Sequence, residues 1–301
     1  MIEVRGLTKC YGDRTVVDDL SFRVEPGAVT GFLGPNGSGK TTTARMILGL
    51  TDPDTGVAMV GSRRYRELAH PLREIGALID PGGVNPGRTA IEHLRWLAAA
   101  NRLSSRRAAE VLGLVGLDAV AGRKVGGFSL GMRQRLGIAA ALIGDPPTLV
   151  FDEPINGLDP EGIRWIRGFM QDLAAEGRTV FVSSHLMSEM ALTATELIVI
   201  GQGRLIAAES VAAFTERAES SVRVRSSQLD VLAAALAEQG ASLWRDGDVL
   251  EVVGVSIEHV GEVALKLGVL LYELSPQRAS LEEAFMRLTA DVCDHVAGQA
   301  A

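Results

Sequence analysis

The chain has 301 residues, 47% hydrophobic and 22% charged, with 30 Lys+Arg against 37 Asp+Glu and a net charge of −7. That length suits one large domain or two ordinary ones with a real core. The acidic balance argues against a general nucleic-acid binder, which needs clustered Lys and Arg for the phosphate backbone, so no nucleic-acid partner is expected. No apolar run nears the roughly 18 residues that a membrane span needs. The start, Met1-Ile2-Glu3-Val4-Arg5, reads as a strand without the basic-then-apolar order of a signal peptide, so a cytoplasmic location is expected. Two cysteines near opposite ends, Cys10 and Cys293, offer no disulfide framework, and Cys293-Asp294-His295 is too small a cluster for a metal site.

In chain order, Ile2–Lys9, Ser21–Val24 and Val57–Val60 are short β-rich segments between Gly and Pro turns, which points to a small antiparallel sheet. Tyr11, in Lys9-Cys10-Tyr11-Gly12, is by itself a strand-end aromatic. Ala28–Leu33 is an apolar strand, and a helix begins near Gly39 and runs through Leu48. Between them Gly34-Pro35-Asn36-Gly37-Ser38-Gly39-Lys40-Thr41 has the spacing G-x-x-x-x-G-K-[ST]. Glycines let backbone N–H groups converge on phosphate oxygens, the helix N-terminus adds positive potential, Lys40 reaches the β/γ-phosphates, and Thr41 offers a hydroxyl to Mg²⁺. At ordinary glycine frequency this pattern arises by chance in such a chain on the order of one time in a hundred.

From Arg63 to Arg135 there are 13 Lys+Arg against 6 Asp+Glu, a local excess of the sign that an anionic membrane surface favours, or a solvated helical face. The stretch from Thr89 to Leu142 is mainly helical, over Ala90–Ala100, Arg106–Val115 and Leu130–Leu142. It reads as an insertion, about residues 80–142, in a domain of mostly parallel α/β pattern. Thr148–Glu153 is an apolar strand that ends in two acids. Asp152 there suits Mg²⁺ coordination, and Glu153 could orient or deprotonate an attacking water. Close by stand Phe128-Ser129-Leu130-Gly131-Met132-Arg133-Gln134-Arg135, Gly157-Leu158-Asp159-Pro160 and Val180-Phe181-Val182-Ser183-Ser184-His185.

After about Phe214 the pattern changes to strand Ser221–Arg225, helix Leu229–Glu238, a hairpin of Ser242–Trp244 with Val249–Val253, helix Glu258–Leu267 and strand Leu270–Leu274. This β-α-β-β-α-β order predicts a small α+β domain of ferredoxin-like type. Ser280-Leu281-Glu282-Glu283 reads as a capping box before a terminal helix to about Leu288. The expected division is 1–215 and 216–301, the second part serving interaction or regulation. His70, His93, His259 and His295 read as structural or surface residues.

Taken together, Gly34–Thr41, Ser129–Arg133, Asp152-Glu153, Gly157–Pro160 and His185 resemble, in order, an ATP-binding cassette (ABC) ATPase over roughly Met1 to Ala208. The resemblance implies an α/β P-loop cassette with a mostly parallel sheet, an antiparallel β subdomain and a helical insertion. It implies ATP and Mg²⁺ as cofactors. Nucleotide would be held by Tyr11, stacked on adenine, by Gly34, Pro35, Asn36, Gly37, Ser38, Gly39, Lys40, Thr41 and Thr42, and by Ser129, Gly131 and Asp159. Metal would be held by Thr41, Asp152 and Asp80, and catalysis carried by Glu153, His185 and Lys40.

Two positions depart from the family pattern. The signature reads FSLGM in place of LSGGQ, keeping Ser129 and Gly131, and Asp80 stands where glutamine is common. The resemblance also implies a homodimer or a heterodimer with a related cassette, in which Ser129 and Gly131 of one subunit close over the γ-phosphate held by Lys40 of the other. A separate transmembrane permease would hold the pair at the cytoplasmic face of the cell membrane. Phe128–Arg135, Ser183–Met190 and Pro276–Phe285 are similar to the bacterial drug and antibiotic exporter branch. The alternative is a soluble cassette ATPase acting on the ribosome or DNA.

Overall fold

The computed structural model describes residues 1–80, 82–217, 221–277 and 280–286. Two compact units divide between Ser210 and Val211, a few residues before the expected 215.

The first unit opens with an antiparallel hairpin, β1 (Ile2–Tyr11) and β2 (Arg14–Val24). β2 starts well before the expected Ser21. Its pairing with β1 shifts register repeatedly and Asp19 sits at φ 48°, so irregularities break the alternation that would have marked the strand. β3 (Val29–Leu33) is fully buried, and α1 (Lys40–Ile47) follows the glycine-rich turn. β4 (Thr55–Val60) completes a three-stranded sheet in the order β2-β1-β4. The short helix α2 (Pro71–Glu74) leads into β5 (Ile75–Leu78).

Three helices then occupy the connection between β5 and β6: α3 (Ala90–Ala100), α4 (Arg106–Leu114) and α5 (Leu130–Ala141). Two of them, α3 and α5, start on a side-chain cap. Thr89 and Glu92 exchange capping hydrogen bonds at α3, and Ser129 accepts the Met132 N–H at 3.2 Å to cap α5. β6 (Thr148–Asp152), α6 (Pro160–Ala175), β7 (Thr179–Ser184), α7 (Met187–Thr193), β8 (Glu196–Gly201) and β9 (Arg204–Ser210) finish the unit. The six-stranded sheet runs β5-β6-β7-β3-β8-β9, parallel except for β9. Its central strands carry continuous apolar runs because both faces are covered.

Phe22 of β2, Phe32 of β3 and Phe181 of β7 join the two sheets, with ring centroids 5.0 to 5.7 Å apart. His93 is buried in α3, and burial, then the Arg88 charge, lowers its pKa below the ordinary value, as suits a structural histidine.

The second unit comprises α8 (Val211–Arg217), β10 (Ser221–Ser226), α9 (Leu229–Glu238), β11 (Ser242–Asp246), β12 (Val249–Val253), α10 (Ile257–Leu267) and β13 (Leu271–Gln277). Its antiparallel sheet has the order β11-β12-β10-β13, with Val222, Val224, Leu250 and Val252 packed against Leu232, Leu236 and Val260 of the helices. His259 meets Gln239 at 2.5 Å on the surface. Ser280 and Glu283 form the expected capping box, and residues 281–286 are helical. The remainder of that helix to Leu288, and Cys293 and His295, lie outside the described residues. Among the described residues no helix is long and apolar enough to cross a membrane.

Truncation of Phe32, fully buried between two aromatic neighbours, is expected to cost the cassette about 3–5 kcal/mol. Urea unfolding of Phe32→Ala against wild type measures it, and a loss below about 1 kcal/mol would remove the aromatic triad from the core.

Candidate functional site

Strand register assembles the site. β3 pairs in parallel with β7, Leu33 opposite Ser184, and β6 pairs with β7, Asp152 opposite Ser183. The carboxyl ends of three neighbouring strands therefore stop at one level, and the residues after them, Gly34, Glu153 and His185, converge there. Ligands of parallel α/β sheets bind at this edge.

The turn after β3 is shaped by its glycines. A Cβ on Gly34 would lie 2.6 Å from the Ile200 carbonyl, and Gly39 caps α1 at φ 103°, a conformation that other residues avoid. Pro35 accepts the Ser38 N–H at 3.2 Å, which closes the turn. The Ser38 hydroxyl is buried without a protein partner. Lys40 is buried, and its ammonium donates to the Gly34 carbonyl at 2.6 Å and the Pro35 carbonyl at 3.2 Å, with Glu153 Oε1 3.7 Å away. Burial lowers its pKa below the ordinary lysine value, while the Glu153 and Asp152 charges pull the other way.

Across the turn, the Thr41 hydroxyl donates to Asp152 Oδ2 at 2.8 Å, and the Ser183 hydroxyl donates to Asp152 Oδ1. Glu153 has a left-handed backbone, φ 49°, a strain of order 1–3 kcal/mol. Its N–H is shared between the Ser183 hydroxyl at 3.0 Å and the Ser183 carbonyl at 3.2 Å, which fixes the carboxylate over the cleft. His185 Nδ1 lies 2.9 Å from Glu153 Oε2. Asn36, Gly37, Thr42 and Asn156 complete the lining of a cleft of about 330 Å³.

Other expected residues stand apart from this cleft. Tyr11 is 52% exposed at the end of β1, with Lys9 Nζ over its ring at 5.6 Å from the centroid. Ser129 and Gly131, at the start of α5, line a second hollow of about 220 Å³ with Asp159 and Trp165. Asp159 caps α6 there, accepting the Gly162 N–H at 2.8 Å. Asp80 does not join Thr41 and Asp152. Its carboxylate folds back onto the Gly82 N–H at 2.7 Å, the local turn that a short acidic side chain favours. Sequence reasoning passed over Ser183, which anchors both acids, and Asn156. The Ser183-Ser184-His185 run held the signal for the first, since a hydroxyl opposite a strand-end carboxylate needs only the β6–β7 register to be recognised.

A glycine-rich turn between a buried parallel strand and a helix, with a buried lysine and two strand-end acids beside it, defines a P-loop nucleoside triphosphatase. Comparison with known proteins narrows this. The ABC transporter family matches residues 17–156, and a domain of unknown function, DUF8746, matches residues 220–282. YhcH of Bacillus subtilis (strain 168), an uncharacterized ABC transporter ATP-binding protein, is 35% identical over 299 residues and 98% of both chains. BcrA of Bacillus licheniformis, a bacitracin transport ATP-binding protein, is 42% identical over 209 residues, 68% of each chain. Among solved structures, an ATP-binding subunit of an ABC transporter superposes with TM-score 0.65 at 27% identity, covering 72% of this chain and 92% of that one. A dimeric cassette in a post-hydrolysis state with ADP and Pi superposes with TM-score 0.64 at 25% identity, covering 70% and 99%. The chain belongs to the ABC transporter ATP-binding proteins, and its first unit is an ATP-hydrolysing cassette.

The lowered Lys40 pKa has a consequence for stability. The unfolded chain holds this proton more tightly than the folded one, so stability rises with pH between the depressed value and the ordinary lysine value of about 10.4. Without nucleotide, wild type is expected to gain melting temperature on Lys40→Met as pH rises through that range. A gap independent of pH would contradict the burial cost.

Proposed function

We propose that this chain is one of a pair of cassettes that drive a separate membrane permease at the cytoplasmic face of the cell membrane, exporting a drug-like or other small molecule. The observation that carries the hydrolytic part is Glu153, 3.7 Å from Lys40 and 2.9 Å from His185 on its two carboxylate oxygens. One acid thus touches both the group that meets the γ-phosphate and the group that orients the attacking water. Export is supported by the bacitracin and lantibiotic transport relatives. No feature of the described chain favours the ribosomal or DNA-directed alternative.

The arrangement supports the following site roles. The loop N–H groups from Asn36 to Thr42 hold the phosphates, with Gly34 and Pro35 shaping the turn, and Tyr11 takes the base. Thr41 and Asp152 supply hard hydroxyl and carboxylate oxygens, the donor set that Mg²⁺ accepts alongside substrate phosphates. Bound there, Mg²⁺ would neutralise phosphate charge. Glu153 takes a proton from water as its oxygen bonds to the γ-phosphorus. The β–γ bridging bond breaks, ADP keeps that electron pair, and His185 fixes the geometry of acid and phosphate. Positioning and charge stabilisation supply most of the rate. Asp80 is held by its turn, so a metal role for it requires that turn to open.

A single chain carries the Lys40 cleft and the Ser129–Gly131 hollow as separate half-sites. Two copies, or one copy and a related cassette, would complete each cleft, as the dimeric cassette among the solved structures supports. The second unit, 211–301, is assigned to interaction or regulation.

Glu153→Gln is expected to bind ATP normally, to accumulate as a closed dimer, and to lose about 10²–10⁴ of its turnover. Lys40→Ala is expected to lose nucleotide affinity itself. Phosphate release and size exclusion with ATP measure both, and wild-type turnover in Glu153→Gln would refute the base assignment. Truncation after Glu216 tests the second unit, whose proposed roles fall if dimerisation and transport are both unchanged.

A further inference from the structure

Arg14 begins β2 and lies directly across the hairpin from Tyr11. Opposed residues of an antiparallel pair project to the same face. The guanidinium therefore stands on the face that carries the Tyr11 ring. One of its terminal nitrogens is 3.9 Å from the point that a Cβ on Gly37 would occupy, so it rests against the middle of the phosphate turn. Gly37 takes φ 82° and bears no side chain, so the turn presents bare backbone to the guanidinium. Arg14 is exposed, and its side chain makes no hydrogen bond or ion pair among the described residues. Lys9 on the same hairpin is different, being tied to Asp54 at 2.8 Å.

We propose that Arg14 is a nucleotide-binding residue whose guanidinium contacts the polyphosphate of ATP and ADP from the hairpin side. Lys40 acts from within the turn and Tyr11 takes the base. The assignment rests on the reading of Gly34–Thr41 as the ATP cradle. Its chemistry is that of a planar fork of N–H donors against phosphate oxygens, which a lysine reproduces only as a point charge. Since Arg14 is solvated before binding, little desolvation opposes the contact, and salt screens it.

Calorimetric titration of the full chain with ADP and with ATP at low and high ionic strength tests this. Arg14→Gln is expected to raise both Kd values about three- to tenfold at low salt, the range between an exposed ion pair and a charge-assisted hydrogen bond. The difference is expected to shrink at high salt, and Arg14→Lys to recover part of it. A purely structural role would raise Kd equally at both salts. That result, or unchanged Kd values in Arg14→Gln, overturns the proposal while leaving the cradle intact. A wild-type chain that binds neither nucleotide would overturn the cradle and this assignment with it.

Discussion

The parallel register of β6, β7 and β3 is the constraint on which the rest of the cassette depends. It sets Asp152 beside Ser183 and Leu33 beside Ser184, so that the residues just past three strands meet at one level. The side-chain period of a strand is two residues. A slip of one would turn Asp152 toward the opposite face and carry Glu153 away from His185. The buried Phe22, Phe32 and Phe181 cluster resists that slip, because moving β3 or β7 by one residue would break the close ring packing.

The site concentrates opposed costs. Lys40 is taken out of water and Glu153 is held in a left-handed backbone, and each is tolerable only because of its neighbours. Two backbone carbonyls and a nearby carboxylate compensate the ammonium, and Ser183 compensates the strain by accepting the Glu153 N–H twice over. Ser183 also donates to Asp152, so one hydroxyl ties Asp152 and Glu153 together. Such a fixed arrangement suits a reaction whose barrier is lowered mainly by positioned charge, because the groups do not have to reorganise as the reaction proceeds.

The departure in the signature has a local rationale. Leu130, in place of a glycine, lies where a Cβ on Gly157 would strike its side chain at 2.2 Å, so the two positions accommodate each other. A Cβ on Gly131, the next residue, would meet Leu158 at 3.4 Å, an ordinary packing contact. The start of α5 is thereby seated on the loop that leads to Asp159, within one subunit. The start of α5 is thus braced by the residues that follow Glu153.

The order of strands and helices, the phosphate turn, the paired acids and the histidine were legible in the sequence, because each depends on local chemistry. Glycines permit positive φ, a capping box satisfies its own helix, and an apolar run bounded by acids marks a buried strand end. Three things depended on the folded chain. The early extent of β2 was hidden by the register shifts and the Asp19 irregularity. Asp80 turned out to be engaged with Gly82, since a two-residue turn competes with any distant metal. The roles of Ser183 and the position of Arg14 arise from residues 31 and 23 positions from their partners, Asp152 and Gly37. Local residue patterns were enough to mark the phosphate turn and the strand-end acids, whereas which groups share a hydrogen bond emerged only from the folded chain. Strand pairing creates those contacts between residues that have no local influence on one another.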